Sequence, residues 1–218
     1  MEKKIIITGD GSHSLFVPEL DEHYHSTHGA IQESRHVFLK MGLNALPVKK
    51  IQILEIGFGT GLNALLTLLA ANERKTLVHY TSLEKDPLHE KDFNLLNFGK
   101  LLHAEDLFNS IHLADWEHCV KISEFFHLKK LNSDLVTDPL PEEEKYDLIY
   151  FDAFAPNKQA EMWEKAVFKK IYDSMSEGGI LVTYCAKGIV RRTMQAVGYT
   201  VERLPGPPGK FQMLRGKK

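Results

Sequence analysis

The sequence predicts an α/β fold with a doubly wound, seven-stranded and mostly parallel sheet. Short β-prone segments alternate with helical segments from about residue 51 to residue 196, the pattern of parallel strands joined by crossover helices. Residues 146–151 are almost continuously apolar, as expected for a strand covered on both faces. The last two predicted strands, 199–204 and 211–214, are joined by a short Gly/Pro-rich loop, so the last strand must run antiparallel to its neighbour.

The other elements follow in chain order. Residues 4–8 and 14–17 flank a Gly-Asp-Gly turn and predict a hairpin, and a helix is expected from about residue 31. We expect this hairpin and helix to form an extension, residues 1–45, that covers a site on the main domain, residues 46–218. The remaining predicted strands are 51–56, 78–83, 126–131 and 180–184. The remaining predicted helices are 62–69, 87–98, material within 101–118, 160–175 and 187–196.

Composition narrows the class of protein. The chain has 218 residues, and its 43% hydrophobic content is enough for a packed core. No apolar run approaches the ~20 residues of a membrane span, and the charged N-terminus leads us to expect no signal peptide. Two cysteines, Cys119 and Cys185, are too few for a disulfide framework or a zinc site. We expect a soluble protein of the reducing cytoplasm with neither a membrane nor a metal partner.

Charge is unevenly distributed along the chain. The net charge of −2, taken alone, argues against a strongly nucleic-acid-binding surface. Residues 187–218, however, hold eight basic side chains and one acid, whereas the rest of the chain holds 19 basic and 28 acidic ones. Such a segment predicts phosphate contacts, with Lys187, Arg191 and Arg192 as candidates. A solvated basic end is the alternative interpretation.

A glycine-rich turn lies between the strand 51–56 and the following helix. Its glycines are spaced G-x-G-x-G, which differs from the G-x-G-x-x-G of dinucleotide sites. The backbone of such a turn can approach the amino-acid part of S-adenosylmethionine, with Glu55 near its cationic amine. A turn that binds no ligand is the alternative. The candidate cofactor residues here are Glu55, Gly57, Phe58, Gly59, Thr60, Gly61 and Asn63.

Further acids follow two other predicted strands. Glu84 ends the second strand of the sheet, where a carboxylate can accept both hydroxyls of a ribose, and Lys85 follows it. Asp134 can accept an adenine amino group while Leu135 covers the ring. The alternatives are a solvated charge at a strand end for Glu84 and a polar loop residue for Asp134.

The segment Phe151-Asp152-Ala153-Phe154-Ala155-Pro156 is the sharpest signal, because it follows the buried strand 146–151. Ligands of open α/β sheets bind beyond the carboxyl ends of the strands. There Asp152 can hold a substrate amine, accept its proton and also face the cofactor. Phe154 can wall the pocket, and Pro156 fixes the chain as it leaves the strand. An N-cap aspartate is the alternative, although the next predicted helix starts several residues later.

Histidines cluster in the polar stretch 18–36 and invite a metal site. His23, His25 and His28 are not placed on one face of a helix or strand, and no matching Cys or acid cluster accompanies them. Surface or hydrogen-bonding roles are therefore favoured, and we expect no metal. Tyr24, Glu33 and Arg35 from the same region are candidate pocket residues.

Five stretches together carry a family resemblance: 32–38, 55–63, 82–85, 151–156 with Met162-Trp163, and 188–192. The sequence resembles the methyltransferase half of the bifunctional tRNA 5-methylaminomethyl-2-thiouridine biosynthesis enzymes and the stand-alone versions of that half. The resemblance covers nearly the whole chain. The glycine turn alone would fit any class I methyltransferase, whereas the aspartate motif with its Met-Trp and the Val-Arg-Arg segment are much narrower.

The resemblance implies a class I, Rossmann-like fold and S-adenosyl-L-methionine as cofactor. It implies methylation of the 5-aminomethyl group on a wobble uridine in a tRNA anticodon stem-loop, with Asp152 as the catalytic aspartate. Because the sequence ends at residue 218, we expect no flavin-dependent oxidase half and only the aminomethyl form as substrate. A functional link to separate wobble-uridine modification enzymes follows.

Two other functions fit the same pattern. One is an aminopropyltransferase or another small-molecule amine methyltransferase, neither of which needs a basic face. The other is a non-catalytic RNA-binding module on a degenerate methyltransferase fold. The intact acidic and glycine positions argue against the module, and a titration with S-adenosylmethionine separates it from the enzymes.

Overall fold

The computed structural model describes residues 3–141 and 145–218. The strands, in chain order, are β1 (Lys4–Ile7), β2 (His13–Val17), β3 (Glu22–His23), β4 (Lys50–Ile56), β5 (Leu77–Glu84), β6 (Cys119–Ser123), β7 (Phe126–Asn132), β8 (Tyr146–Phe151), β9 (Met175–Thr183), β10 (Thr200–Pro205) and β11 (Gln212–Lys217). The helices are α1 (Ala30–Ser34), α2 (Leu62–Arg74), α3 (Glu90–Phe93), α4 (Phe98–Leu101), α5 (Glu105–Leu113), α6 (Lys165–Ser174) and α7 (Gly188–Val197).

Within these described residues, eight strands form the main sheet in the order β10-β11-β9-β8-β4-β5-β7-β6. Strands β7, β5, β4, β8 and β9 are parallel, while β11 runs antiparallel to β9 and to β10. The predicted α/β class, the mostly parallel sheet and its antiparallel last strand are therefore confirmed. The predicted number of strands is wrong by one. The extra strand, β6, pairs antiparallel to β7 at the sheet edge and is half exposed, so it lacks the apolar run that marks the buried strands.

Both faces of the sheet are covered, because successive residues of a strand point to opposite sides. On one face Tyr150 packs against Phe38, with 5.0 Å between ring centroids, in the cluster that contains α2. On the other face Phe151 stacks on Phe168 of α6 and meets the edge of Trp163. All five side chains are 5% exposed or less. This double burial explains the continuous apolar pattern of β8.

The N-terminal region forms a second, smaller sheet. Strands β1 and β2 pair as the predicted hairpin, and the two-residue β3 adds a third antiparallel strand. Helix α1 continues as a π-helix over Arg35–Lys40 and is followed by a 3-10 turn at Leu43–Ala45. The fully buried Val37 and Phe38 fasten this region to the main sheet. Residues 1 and 2 lie outside the described part, and the domain boundary at residue 45 stays a prediction.

Two predicted helices differ in extent. The helix expected over 87–98 is replaced by the short helices α3 and α4, separated by a bend that contains Asn94 and Asn97, residues that favour turns over helix interiors. The helix expected over 160–175 begins as a 3-10 turn, Ala160–Trp163, before α6. In the described ranges, no helix is both long and apolar enough to cross a lipid bilayer.

Candidate functional site

A cavity of about 530 Å³ opens at the carboxyl ends of β4, β5, β8 and β9. Strand β4 lies between β5 and β8. The connection after β4 leads to β5 on one side, whereas the connection after β8 leads to β9 on the other, as at the ligand crevices of open α/β sheets. Residues from β2, β3 and the segment before α1 form the other wall. Thirteen of the predicted site residues line this cavity: Tyr24, Glu33, Gly57, Phe58, Gly59, Thr60, Asn63, Glu84, Lys85, Asp134, Leu135, Asp152 and Phe154.

The glycine-rich turn forms the floor of the cavity. Gly57 has φ 91°, and a Cβ at this position would lie 3.1 Å from the backbone oxygen of Asp152. Gly59 has φ 49°, and a Cβ there would lie 3.2 Å from the ring of Tyr24. A side chain at either position would therefore combine backbone strain with crowding, which is the physical reason for glycine here.

Glu84 fastens this turn to the end of β5. One carboxyl oxygen accepts from the Gly59 N–H at 2.9 Å, and the other accepts from the Asp86 N–H at 2.8 Å. Burial raises the pKa of the Glu84 carboxyl, and these backbone hydrogen bonds oppose that rise. A carboxylate offers about four lone-pair sites, so Glu84 keeps acceptor capacity toward the cavity.

Two histidine rings form hydrogen bonds with Thr60 of the turn. The His25 ring pairs with the Thr60 hydroxyl at 2.7 Å, and the His112 ring lies 3.1 Å from the Thr60 carbonyl oxygen. Burial lowers their pKa values to about 4 and about 3, so both rings are neutral near pH 7. His112 also stacks on Phe93, with 4.2 Å between ring centroids. His25 thus has the hydrogen-bonding role expected of a loop histidine, at the edge of the site.

A buried lysine lies on the outer side of the turn. Lys130 is 1% exposed and donates to the His112 carbonyl oxygen at 2.7 Å. Its ammonium group lies 5.3 Å from the Phe58 ring centroid and 4.7 Å from that of Trp116. Burial lowers the pKa of Lys130 to about 8. These contacts hold Phe58 as an apolar wall of the cavity.

The predicted role of Glu55 as a cofactor contact requires correction. Glu55 is fully buried in β4, outside the cavity lining, and accepts a hydrogen bond of 2.6 Å from the Ser82 hydroxyl of β5. Burial raises its pKa to about 8, so the group is largely neutral at pH 7. Gly61 also lies outside the lining. It is the N-cap of α2, with φ 71°, and a Cβ there would lie 2.8 Å from the His112 ring.

Asp152 lines the cavity directly after β8. The Asn63 amide donates to its carboxylate at 2.8 Å, which joins the first turn of α2 to this loop. Burial raises the pKa of Asp152 to about 7; the Asn63 hydrogen bond opposes this, the charge of Glu33 adds to it and the charge of Lys210 opposes it. A carboxyl group that ionises near neutral pH can exchange a proton with a bound amine.

Three hydrogen bonds fix the loop that follows Asp152. The Tyr184 hydroxyl donates to the Ala153 carbonyl oxygen at 2.9 Å, and the Trp163 indole N–H donates to the Phe154 carbonyl oxygen at 2.8 Å. The Phe154 N–H donates to Gln159 at 3.1 Å. With its backbone held, Phe154 meets Tyr24 edge to face at 5.2 Å between centroids. Pro156, expected to shape this exit, lies outside the cavity lining.

An ion pair faces Asp152 from the other side. The Lys210 ammonium group pairs with one carboxyl oxygen of Glu33 and lies 4.0 Å from the Tyr184 ring centroid. The second oxygen of Glu33 accepts from the Ser26 N–H at 2.8 Å. Lys210 and Tyr184 also line the cavity, although neither was predicted from the sequence as a site residue. Tyr184 directly follows β9 at the carboxyl edge, a signal that could have identified it, whereas Lys210 is brought in by a distant loop with no local signal.

At the ends of β5 and β7, the cavity is lined by a buried apolar side chain and by charged side chains. Leu135 is 3% exposed, and Asp134 accepts from Lys85 at 2.8 Å and from the Val136 N–H at 2.9 Å. The Lys85 hydrogen bond is the main reason that the pKa of Asp134 is lowered. This part of the cavity suits a flat, largely apolar group with polar edges.

Four predicted substrate residues besides Pro156 lie outside the cavity. Arg35 is exposed on the π-helix, so its assignment to the pocket requires correction. Lys187 donates to Asn157 at 3.2 Å, and Arg191 donates to Gln195 at 3.1 Å. Arg192 is exposed. The last three lie in or just before the start of α7, beyond the carboxyl end of β9, at the same edge of the sheet as the cavity but outside it.

The chain is similar in sequence to known methyltransferases. A family model described as S-adenosyl-L-methionine-dependent methyltransferase matches residues 104–218. The tRNA 5-methylaminomethyl-2-thiouridine biosynthesis bifunctional protein MnmC of Cupriavidus necator is 34% identical over 218 residues, covering 91% of this chain and 32% of that protein. The protein of the same name from Leptospira borgpetersenii is 33% identical and covers 90% and 32%. The chain thus spans about a third of the length of these relatives.

Solved structures are also similar. The crystal structure of MNMC2 from Aquifex aeolicus matches with a TM-score of 0.83 and 28% identity, over 99% of this chain and 69% of that one. Spermidine synthase from Thermotoga maritima matches with a TM-score of 0.53 and 13% identity, over 100% and 71%. At that identity the second match shows a shared fold alone.

A stability measurement tests the corrected position of Glu55. Its pKa of about 8 in the folded state exceeds the ordinary value of 4.5, so the folded protein binds more protons between these pH values and loses stability as pH rises from 4.5 to 8. Glu55→Gln should remove this loss. In denaturant unfolding, the free energy of unfolding of the variant should therefore rise relative to that of the wild type from pH 5 to pH 8. Glu73→Gln, at an exposed position of α2, is the matched control. Parallel pH dependences of wild type and Glu55→Gln would contradict the assignment.

Proposed function

Since the chain belongs to the S-adenosyl-L-methionine-dependent methyltransferases, the family whose model matches residues 104–218, we propose that it methylates a primary amine on tRNA. The acceptor is the 5-aminomethyl group of a wobble uridine, including its 2-thio form. The names of the MnmC relatives support a role in the biosynthesis of 5-methylaminomethyl-2-thiouridine in tRNA, and 90–91% of this chain aligns with them. The observation that carries the proposal is Asp152, a carboxyl group with a pKa of about 7 that faces a cavity at the carboxyl edge of the sheet.

The cavity chemistry fits the methyl donor. Asn63 has a buried amide oxygen that accepts no hydrogen bond from the described residues, and this acceptor suits the donor's ammonium group. Glu84 has acceptor capacity for two ribose hydroxyls, and Leu135 with Asp134 suits an adenine ring and its amino group. S-adenosyl-L-methionine, when bound, supplies a methyl group on a positively charged sulfur.

The acceptor amine must be unprotonated to attack that methyl group. Asp152 accepts a hydrogen bond from the amine, which orients the nitrogen, and takes up the proton that the nitrogen gives up. In that reaction the bound donor would supply the methyl carbon for the new C–N bond, and its sulfur would keep the electron pair of the C–S bond. Orientation of this kind supplies much of the acceleration of a two-substrate reaction.

The residues around Asp152 prepare it for this role. Glu33 and Lys210 bring opposite charges to bear on its carboxyl group, so its proton affinity depends on both. Tyr24, Phe154 and Tyr184 line the same part of the cavity and limit the access of water. A carboxylate shielded from water interacts more strongly with an ammonium group than an exposed one does.

We also propose that the protein binds tRNA through a basic surface beside the cavity and that it acts in the cytoplasm. Lys187, Arg191 and Arg192 would contact tRNA phosphates beside the cavity, because cationic side chains near the site hold a polyanion in register. The free cysteines Cys119 and Cys185 are compatible with the reducing cytoplasm. The amine substrate requires a preceding reaction that installs an aminomethyl group on the uridine, which gives a functional link to separate modifying enzymes.

The proposal predicts methyl transfer that depends on Asp152. After incubation of aminomethyl-modified tRNA with S-adenosyl-L-methionine, nucleoside mass spectrometry should show one methyl group added to the wobble nucleoside. Asp152→Ala should lower the rate at least about 100-fold, the lower range for loss of a general base, while calorimetry shows that the methyl donor still binds. Asp173→Asn, an exposed aspartate of α6, should keep the wild-type rate. No mass gain with wild-type protein would refute the substrate, and full activity of Asp152→Ala would refute the catalytic assignment.

The proposed tRNA contacts predict a salt effect. Arg191→Gln/Arg192→Gln should weaken tRNA binding and reduce the slope of log affinity against log salt by up to about 2, because each lost phosphate contact reduces it by about 1. Lys49→Gln/Lys50→Gln is a matched control, since these exposed neighbours lie at the opposite edge of the sheet, at the start of β4. Donor binding should be unchanged in both. Equal salt slopes for the two double variants would exclude the proposed contacts.

A further inference from the structure

One aromatic side chain projects into solvent beside the cavity. Phe211 is 91% exposed, more than any other large apolar side chain in the described residues. It directly follows Lys210, whose ammonium group lines the cavity and pairs with Glu33. The two Cα atoms are about 3.8 Å apart, so an inward cation and an outward ring leave the chain at almost the same point. Phe211 therefore stands at the rim of the proposed acceptor site.

The loop that carries Phe211 is held in place. Its carbonyl oxygen accepts from the Gly206 N–H at 3.1 Å, and the Lys210 N–H donates to the Pro207 carbonyl oxygen at 2.9 Å. The His36 ring lies 2.8 Å from the Pro205 carbonyl oxygen, which ties the loop to the N-terminal region. Pro207 is buried. The ring is thus exposed on a loop whose backbone is held by hydrogen bonds, so the loop need not be ordered when a flat partner binds.

Strand pairing places this loop at the same edge of the sheet as two exposed arginines. Phe211 precedes β11, whose Leu214 pairs with Thr183 at the carboxyl end of β9 and with Arg203 of β10. Arg203 is exposed, and α7 with Arg192 begins beyond the same end of β9. An exposed aromatic ring and exposed cations at one edge of a sheet are the combination used by single-stranded nucleic acid sites, where rings stack bases and cations contact phosphates.

Resting on the proposed function, we propose that Phe211 is a stacking platform for an unpaired anticodon-loop base next to the nucleotide that enters the cavity. With Lys210 at the reacting end and Phe211 outside it, one base is inserted while its neighbour is held at the rim. A single ring is far smaller than the apolar patch of a protein interface, and the surrounding charge suits phosphates. Binding of a base is therefore favoured over binding of a protein.

Steady-state methylation kinetics with Phe211 variants test the platform. Phe211→Ala should raise the KM for tRNA at least about fivefold, the lower range for loss of one stacked base, with kcat and the affinity for the methyl donor unchanged. Phe211→Trp should keep the wild-type KM for tRNA. Phe211→Leu, which keeps apolar bulk without a ring, should raise it as Phe211→Ala does. Leu113→Ala, 65% exposed at the end of α5, is the control that should keep the wild-type KM.

Other outcomes overturn the proposal. A wild-type KM in Phe211→Ala, or in Phe211→Leu, excludes stacking, and weaker donor binding in Phe211→Ala shows a structural role for the loop instead. A change of oligomeric state in Phe211→Ala, seen by sedimentation with the KM unchanged, assigns the ring to a protein contact. In all these cases wild-type protein still methylates tRNA. If wild-type protein methylates no tRNA, the proposed function fails and the platform fails with it.

Discussion

The hydrogen bond from Asn63 to Asp152 joins the two halves of the cavity. It connects the first turn of α2, which follows the glycine turn, to the loop after β8. The same approach of the two segments leaves 3.1 Å between a Cβ at position 57 and the backbone oxygen of Asp152, so the turn needs glycine there. The arrangement depends on this contact because it keeps a buried carboxyl group hydrogen-bonded at the point where the proposed sites for the methyl donor and the tRNA amine meet.

The fold could be predicted because its signals are local and repeated. Alternating strands and helices, a continuously apolar β8 and a tight β10–β11 connection together require a mostly parallel sheet with an antiparallel last strand. Strand β6 escaped prediction since an exposed edge strand needs no apolar run. For the site, acids at strand ends predicted a cavity at the carboxyl edge, and Glu84 and Asp152 both line it. Glu55 was misassigned because spacing in the sequence does not tell which neighbours a strand side chain meets.

Contacts between distant segments could not be predicted. Glu33 and Lys210 are 177 positions apart, yet they form the ion pair beside Asp152. The basic count of residues 187–218 also overstated the charge at the site, because Arg215 pairs with Glu202 and Lys218 with Glu177. Lys217, at the end of β11, and Lys218 moreover lie beside the amino-terminal half of β9, away from the cavity. The cations that remain at the cavity edge are those around α7 and the end of β10, which is a smaller and more local surface than the sequence suggested.

The pH dependence of single-turnover methyl transfer tests most directly whether Asp152 and its neighbours activate the amine. The rate of the wild-type protein should rise with pH with a midpoint near 7, where Asp152 becomes ionised. Glu33→Gln removes a negative charge that raises the pKa of Asp152, so the midpoint should move down. Lys210→Met removes a positive charge that lowers it, so the midpoint should move up. Opposite shifts are the predicted result, and a midpoint that stays fixed in both variants would contradict the role assigned to Asp152.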